Sequence, residues 1–354
     1  MKLASDVASL DLAGSSVVEP LTVGELDAND FLIELDQERI LGVGIRAHEN
    51  GKLILEESAA ESLSARHDVA MAQSMRAELM AREVSVALTD EGIRHRLLKG
   101  ASLAHSIARD PNERSFRDVD VLVPGADVDA TVALLEKAGA KRLQPSLRPG
   151  FDARFGKSVT LRHSDVEIDV HRLLAAGPFG VWMQPDDLFV LLDHVSLGGV
   201  DVPTLDRTDH LIHACYHVAL GQASPVLANL RDVALLAEDS VDWDRFDQTV
   251  DRWRGKAVIQ RTVTVLRSRL DTEIPDRLEN YRTASVVADE RTAIGPYLNE
   301  DPGGRFAALA QATLRTLPIS ERAAYARAVG FPEGSDPVDR LKTIVERVRP
   351  TDLF

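Results

Sequence analysis

The run Asp118-Val119-Asp120-Val121-Leu122-Val123 constrains this chain more than any other stretch, because acidic residues alternate with aliphatic ones at a period of two. Successive side chains of a strand point to opposite faces, so Asp118, Asp120 and Leu122 share one face and the three valines share the other. The valine face predicts a packed core beneath the strand. Paired carboxylates are unfavourable unless a cation lies between them, and a hard divalent ion such as Mg²⁺ or Mn²⁺ suits that oxygen environment. A second run, Val166-Glu167-Ile168-Asp169-Val170-His171, has the same period and puts Glu167, Asp169 and His171 on one face. If the two strands are neighbours, Asp169 completes a set of three carboxylates able to hold two metal ions for in-line displacement. Asp169 is then placed to activate the nucleophile, and Asp118 and Asp120 to bind the metals.

The segments around these runs predict a small mixed sheet with flanking helices. Ser62 to Asp90 lacks Gly and Pro, is rich in Ala, Leu, Met, Arg and Glu, and suits one long helix ended by Gly92. Arg94 to Leu98 then reads as a strand, Lys99-Gly100 as a tight turn, and Ala101 to Ala108 as a helix. Arg117 to Val123 reads as a strand and Ala126 to Ala138 as a helix closed by Gly139. Two more strands follow, Ser158 to Arg162 and Val166 to Leu173, about a turn at His163-Ser164-Asp165. Farther on, Gly198-Gly199 between Val195 to Leu197 and Val200 to Val202 signals a hairpin. Helices are expected at Arg207 to Leu220, Val226 to Glu238, Trp243 to Trp253 and Ala257 to Leu270, with several beyond Ala284. Residues 1 to about 35 read as a poorly determined lead-in with one short helix, followed by a helical stretch over Glu38 to Ala47. The expected division is 1–84 packing on the core, 85–175 as the core itself, and 176–354 as a mostly helical domain.

Lys99-Gly100-Ala101-Ser102 places a glycine turn, a lysine and a hydroxyl at a helix start, where backbone N–H groups favour phosphate. Lys99 approaches a triphosphate from this turn or forms an ion pair at the sheet edge. Arg114 and Arg117 flank the acidic strand, with either phosphate contacts or charge compensation as their role; for Arg117, adjacent to Asp118, compensation is the favoured reading.

At this point the residues resemble a known family. LLKGASLAHS, then RSFRDVDVLV, then VEIDVHRLL is similar to the nucleotidyltransferases of the DNA polymerase β superfamily, in the bacterial branch with a Leu-Lys-Gly turn, an arginine ahead of D-x-D-L-V, and a later aspartate before histidine. The similarity covers roughly residues 35 to 270. It implies an α/β minimal nucleotidyltransferase fold, a divalent metal at Asp118, Asp120 and Asp169, an NTP substrate, and triphosphate contacts at Gly100 and Ser102. The turn here departs from Gly-Ser or Gly-Gly, since Ala101 follows Gly100 and the hydroxyl comes one place later.

His213 and His217 lie at i and i+4 on one helix face. The spacing permits zinc, but no third ligand is evident and the glutamate of H-E-x-x-H is absent, so packing at the domain junction or hydrogen bonding to the nucleotide or acceptor is the reading. His171 stands two residues from Asp169, as an orienting partner or an edge hydrogen bond. Asp232 either faces the cleft or pairs with an arginine. Trp182, Trp243 and Trp253 are expected in the core.

The net charge of −15 disfavours a long nucleic-acid footprint, and no apolar run approaches the length of a membrane span. The lone Cys215 excludes an internal disulfide. The first twenty residues lack the apolar block of a secretory signal, which reads as cytoplasmic. The expected activity is Mg²⁺-dependent transfer of a nucleoside monophosphate from an NTP to a hydroxyl or phosphate acceptor, a small molecule or a protein. The alternatives are a non-catalytic nucleotide-binding regulator and a toxin-like transferase acting on tRNA.

Overall fold

The computed structural model describes residues 2–24 and 27–331; the expectations for 332–354 lie outside the described residues. Among the described residues there are nine strands: β1 (Leu21–Thr22), β2 (Leu53–Ile54), β3 (Arg96–Leu98), β4 (Asp118–Leu122), β5 (Lys141–Arg142), β6 (Ser158–His163), β7 (Val166–His171), β8 (Asp193–Leu197) and β9 (Val200–Thr204). β1 and β2 form a small parallel pair, and the other seven make one mixed sheet in the order β5-β6-β7-β4-β3-β9-β8.

The two acidic runs are neighbours. β4 and β7 pair in parallel, with Asp118 opposite Glu167, Asp120 opposite Asp169, and Leu122 opposite His171. The hairpin over residues 193–204 turns on Gly198 and Gly199, both at positive φ, as a two-residue hairpin turn requires. Its second strand pairs with β3, so the sheet extends past the expected boundary at residue 175 and takes its last two strands from the following segment.

The long helix runs Glu57–Asp90, starting five residues before the expected Ser62, and Gly92 takes positive φ just past its end. At about 1.5 Å per residue it is about 51 Å long, and it bridges two hydrophobic cores. Its second half (Ala77, Ala81, Val84, Leu88) packs on the valine face of the sheet, beside the helix Val128–Lys137. Its first half (Ala59, Leu63, Ala70) joins a larger core with the N-terminal helices and the helices after Leu173.

The lead-in is better ordered than its composition suggests. It contains the helices Lys2–Ser9 and Ala28–Gln37, and Leu41–Glu49 follows where a helical stretch over Glu38 to Ala47 was expected. Their apolar residues Ala4, Val7, Phe31, Leu32 and Leu35 belong to the same core as Leu211, Leu230 and Leu266. The N-terminal segment and the C-terminal helices thus share one core that holds the acid face of the sheet, where Leu98 and Leu122 enter it. The helices Arg207–Leu220, Leu227–Ala237, Trp243–Arg252 and Lys256–Arg269 fall within a residue or two of expectation. Trp253 is fully buried there, its indole N–H donating to Asp187.

Candidate active site

Alternation in β4 and β7 turns Asp120 and Asp169 to the same side at the same level of the sheet. Ligand atoms of Asp120, Asp169 and His171 all lie within 4.8 Å of one another. His171 Nε2 is 2.7 Å from Asp120 Oδ1, and the Lys99 ammonium is 3.0 Å from that same oxygen. Thr160 on β6 donates its hydroxyl to Asp169 Oδ1. Burial alone pushes Asp120 up, but the charge of Lys99 and the His171 hydrogen bond outweigh it and hold this carboxyl well below the usual carboxylate range. Asp169 is raised, chiefly by burial and further by the neighbouring Asp120 charge. The two carboxylates therefore sit in opposed environments, one locked ionised and one better suited to take a proton.

Lys99 owes its place to backbone geometry. It caps the helix Gly100–Ser106 with φ 40° and ψ −143°, a conformation that side-chain-bearing residues rarely adopt, and Gly100 follows at φ 38°. This pair of positive φ values reverses the chain between β3 and the helix. Leu98 pairs with Asp120 across β3 and β4, which sets the next residue, Lys99, beside the acidic strand.

The helix Arg207–Leu220 closes the acid side. Burial drives both His213 and His217 well below their ordinary range, and the Lys99 charge depresses them further, so both rings are neutral. Their centroids are 6.4 Å apart. Among the described residues they form no metal-ligating group; the one such group is Asp120, Asp169 and His171.

Other expected site residues fall elsewhere. Asp118 opens β4, half-buried, and is not part of the convergent group. Ser102 has its hydroxyl fully buried, 2.5 Å from Thr204 Oγ1 and 3.0 Å from His210 Nε2. Two residues past Gly100 on a helix, that side chain turns into the core. Arg114 is engaged by protein groups. Its guanidinium makes a bidentate pair with Asp232 at 3.0 and 2.8 Å and donates to the Gly100 carbonyl at 3.1 Å, so it is committed within the protein. Asp232 is accordingly the partner of an arginine. Arg117 is exposed and reaches toward Asp36 at 4.0 Å.

Thr160 escaped the sequence reading although a signal existed. Counting back through the β6–β7 hairpin from His163 opposite Val166 puts Thr160 opposite Asp169. Lys157, whose charge is felt by Asp169 and His217, carries no comparable signal, since it precedes β6 in a loop.

The donor set fits a divalent cation. Two carboxylates and an imidazole converge, and one of the carboxylates is raised by the other's charge, a repulsion that a cation between them relieves. The mixed oxygen and nitrogen set accommodates Mn²⁺ as readily as Mg²⁺.

Residues 24–271 match a protein family described as uncharacterised nucleotidyltransferase, a span of 248 of the 354 residues. No curated protein matches the chain. Among solved structures, a lincosamide antibiotic adenylyltransferase, LnuA, bound to lincomycin, is similar at 15% identity and a TM-score of 0.31, covering 46% of this chain and 96% of that one. An antigenic nucleotidyltransferase-like protein from Paracoccidioides brasiliensis is similar at 16% identity and a TM-score of 0.33, covering 56% and 94%.

Proposed function

The chain belongs to the uncharacterised nucleotidyltransferase family, and from that premise we propose that it moves a nucleoside monophosphate from a divalent-metal NTP to a hydroxyl or phosphate acceptor, releasing pyrophosphate. The observation that supports this reading most directly is the side-by-side placement of Asp120 and Asp169 with the Lys99 ammonium on the first of them.

A bound divalent ion supplies charge neutralisation at the phosphates and polarises the attacking oxygen. Asp120, kept ionised by Lys99 and His171, is suited to hold it together with Asp169 and His171. Asp118, at the entrance of β4, serves the nucleotide side. For a hydroxyl acceptor, Asp169 takes the proton as the oxygen attacks the α-phosphorus; the bond from that phosphorus to the oxygen bridging to the β-phosphate breaks, and pyrophosphate leaves. The raised pKa of Asp169 suits a base, and Thr160 donates to one of its oxygens. Lys99 lies within reach of a triphosphate entering over the turn. The net charge of −15 favours a small molecule or a protein as acceptor over nucleic acid.

Pyrophosphate release from ATP, CTP, GTP and UTP with Mg²⁺ or Mn²⁺ across an acceptor panel tests the reading. Asp120→Ala is expected to abolish release while the protein stays folded. Unchanged release in that variant sinks the assignment.

A further inference from the structure

Arg114 and Asp232 lie outside the reacting group, yet Arg114, held by two hydrogen bonds to Asp232, ties them by a third to its most strained segment. The 3₁₀ turn Pro111–Glu113 delivers Arg114 between the Lys99-Gly100 turn and the helix Leu227–Ala237. There the guanidinium divides its donors: Nε and Nη2 go to the two oxygens of Asp232, and Nη1 goes to the carbonyl of Gly100. Burial opposes the Arg114 charge, but Asp232 outweighs it and keeps the group protonated.

The neighbouring residues repeat the pairing with signs reversed. Glu113 is gripped by Arg46 and faces Arg231 at 3.6 Å, and Arg231 donates to the carbonyls of Ala8 and Leu10. Glu113-Arg114 and Arg231-Asp232 therefore pair crosswise, opposite charge to opposite charge. Glu113, Arg231 and Asp232 are buried and Arg114 is half-buried. The crossed arrangement fixes the orientation of the guanidinium, because a slip of one residue in either segment brings like charges together.

A backbone in a sparsely populated conformation persists only where its surroundings hold it. The atom Arg114 grips is the carbonyl of Gly100, one residue past the strained Lys99 and itself at positive φ. We propose that Asp232 acts through Arg114 as a positioning residue for the Lys99–Gly100 turn, so that the C-terminal helices set where the Lys99 ammonium stands relative to Asp120. The effect on turnover rests on the transferase reading above; the effect on the turn does not.

The test uses the full chain and the variants Asp232→Asn and Asp232→Glu, with amide hydrogen exchange followed by mass spectrometry in the absence of nucleotide. In Asp232→Asn, peptides spanning 99–106 are expected to exchange about tenfold faster while those of β4 and the helix Leu227–Ala237 keep wild-type rates. Asp232→Glu, which keeps the charge, restores most of the protection. In turnover assays Asp232→Asn loses roughly tenfold or more in kcat and Asp232→Glu recovers part of it. Wild-type exchange across 99–106 in Asp232→Asn overturns the proposal. So does acceleration spread evenly over β4 and the helix bearing Asp232, which marks a packing role only. If the wild type releases no pyrophosphate with any nucleotide, the transferase reading fails and the exchange data still decide this one.

Discussion

His210 is 3% exposed, and its Nε2 sits 2.9 Å from Thr204 Oγ1 and 3.0 Å from Ser102 Oγ. Thr204 in turn donates to the Leu97 carbonyl of β3. Burial lowers the pKa of His210 from 6.5 to about 4, so the folded protein holds it neutral. In the unfolded chain it titrates near 6.5, and the unfolded state therefore binds more protons below that pH. Stability is complete above about 6.5 and is lost as pH falls toward 4. With those two values the loss at pH 4.5 is about 2.5 kcal/mol from this residue alone. His210→Gln keeps a polar group but cannot titrate. Urea denaturation of both proteins at pH 7.5 and 4.5 isolates the term, because other buried histidines contribute equally to each. At pH 7.5 the variant is the less stable, by roughly 1–3 kcal/mol for the broken network. At pH 4.5 the wild type has given up about 2.5 kcal/mol of that advantage. A difference between the two proteins that does not change with pH refutes the neutral, buried state of His210.

Two further outcomes follow from the same geometry. Lys99→Met removes the charge that most strongly holds Asp120 ionised; kcat/KM for the nucleotide is expected to fall about 100-fold or more, and a fall within about threefold contradicts the site as drawn. Ser102→Ala breaks the hydroxyl network in the core, so stability drops by about 1–2 kcal/mol while the nucleotide KM stays within about twofold, and a large rise in KM with unchanged stability restores a phosphate role for that hydroxyl.

The acidic strand pair was legible because period-two alternation is a local property: once the valines of β4 and the aliphatics of β7 are assigned to the core, the carboxylates have one face left. The Lys99-Gly100 turn was legible for the same reason, as a glycine between a strand and a helix. What sequence could not supply was which end of each polar side chain would meet the core. Ser102 is two residues past the turn, and only the arrival of Thr204 and His210 from more than 100 residues away makes its hydroxyl a core group. Arg114 reads equally well as a phosphate ligand until Asp232 is brought beside it by a helix 118 residues farther on. The lead-in helices were obscured by their Asp content, the Ser in the first of them and the Gly and Ser between them, since they are stabilised by packing against the C-terminal helices and not by their own propensity.

The position of the site between two cores explains this division. The valine face of the sheet is covered by the long helix and its neighbour, a closed apolar contact with chemistry on neither side. The acid face is covered by elements from both ends of the chain, and these cannot bury the carboxylates without partners. Lys99, His171 and Thr160 are the partners contributed by the sheet region. The covering helices bring His213 and His217 close enough for the Lys99 charge to depress both imidazoles, and Asp232 to pair with Arg114. A substitution on the valine face is felt as lost packing, whereas one on the acid face changes the charge and placement of a small group of residues with little apolar area to lose. The same alternation that builds the sheet thus separates the residues that hold it together from those of the candidate site.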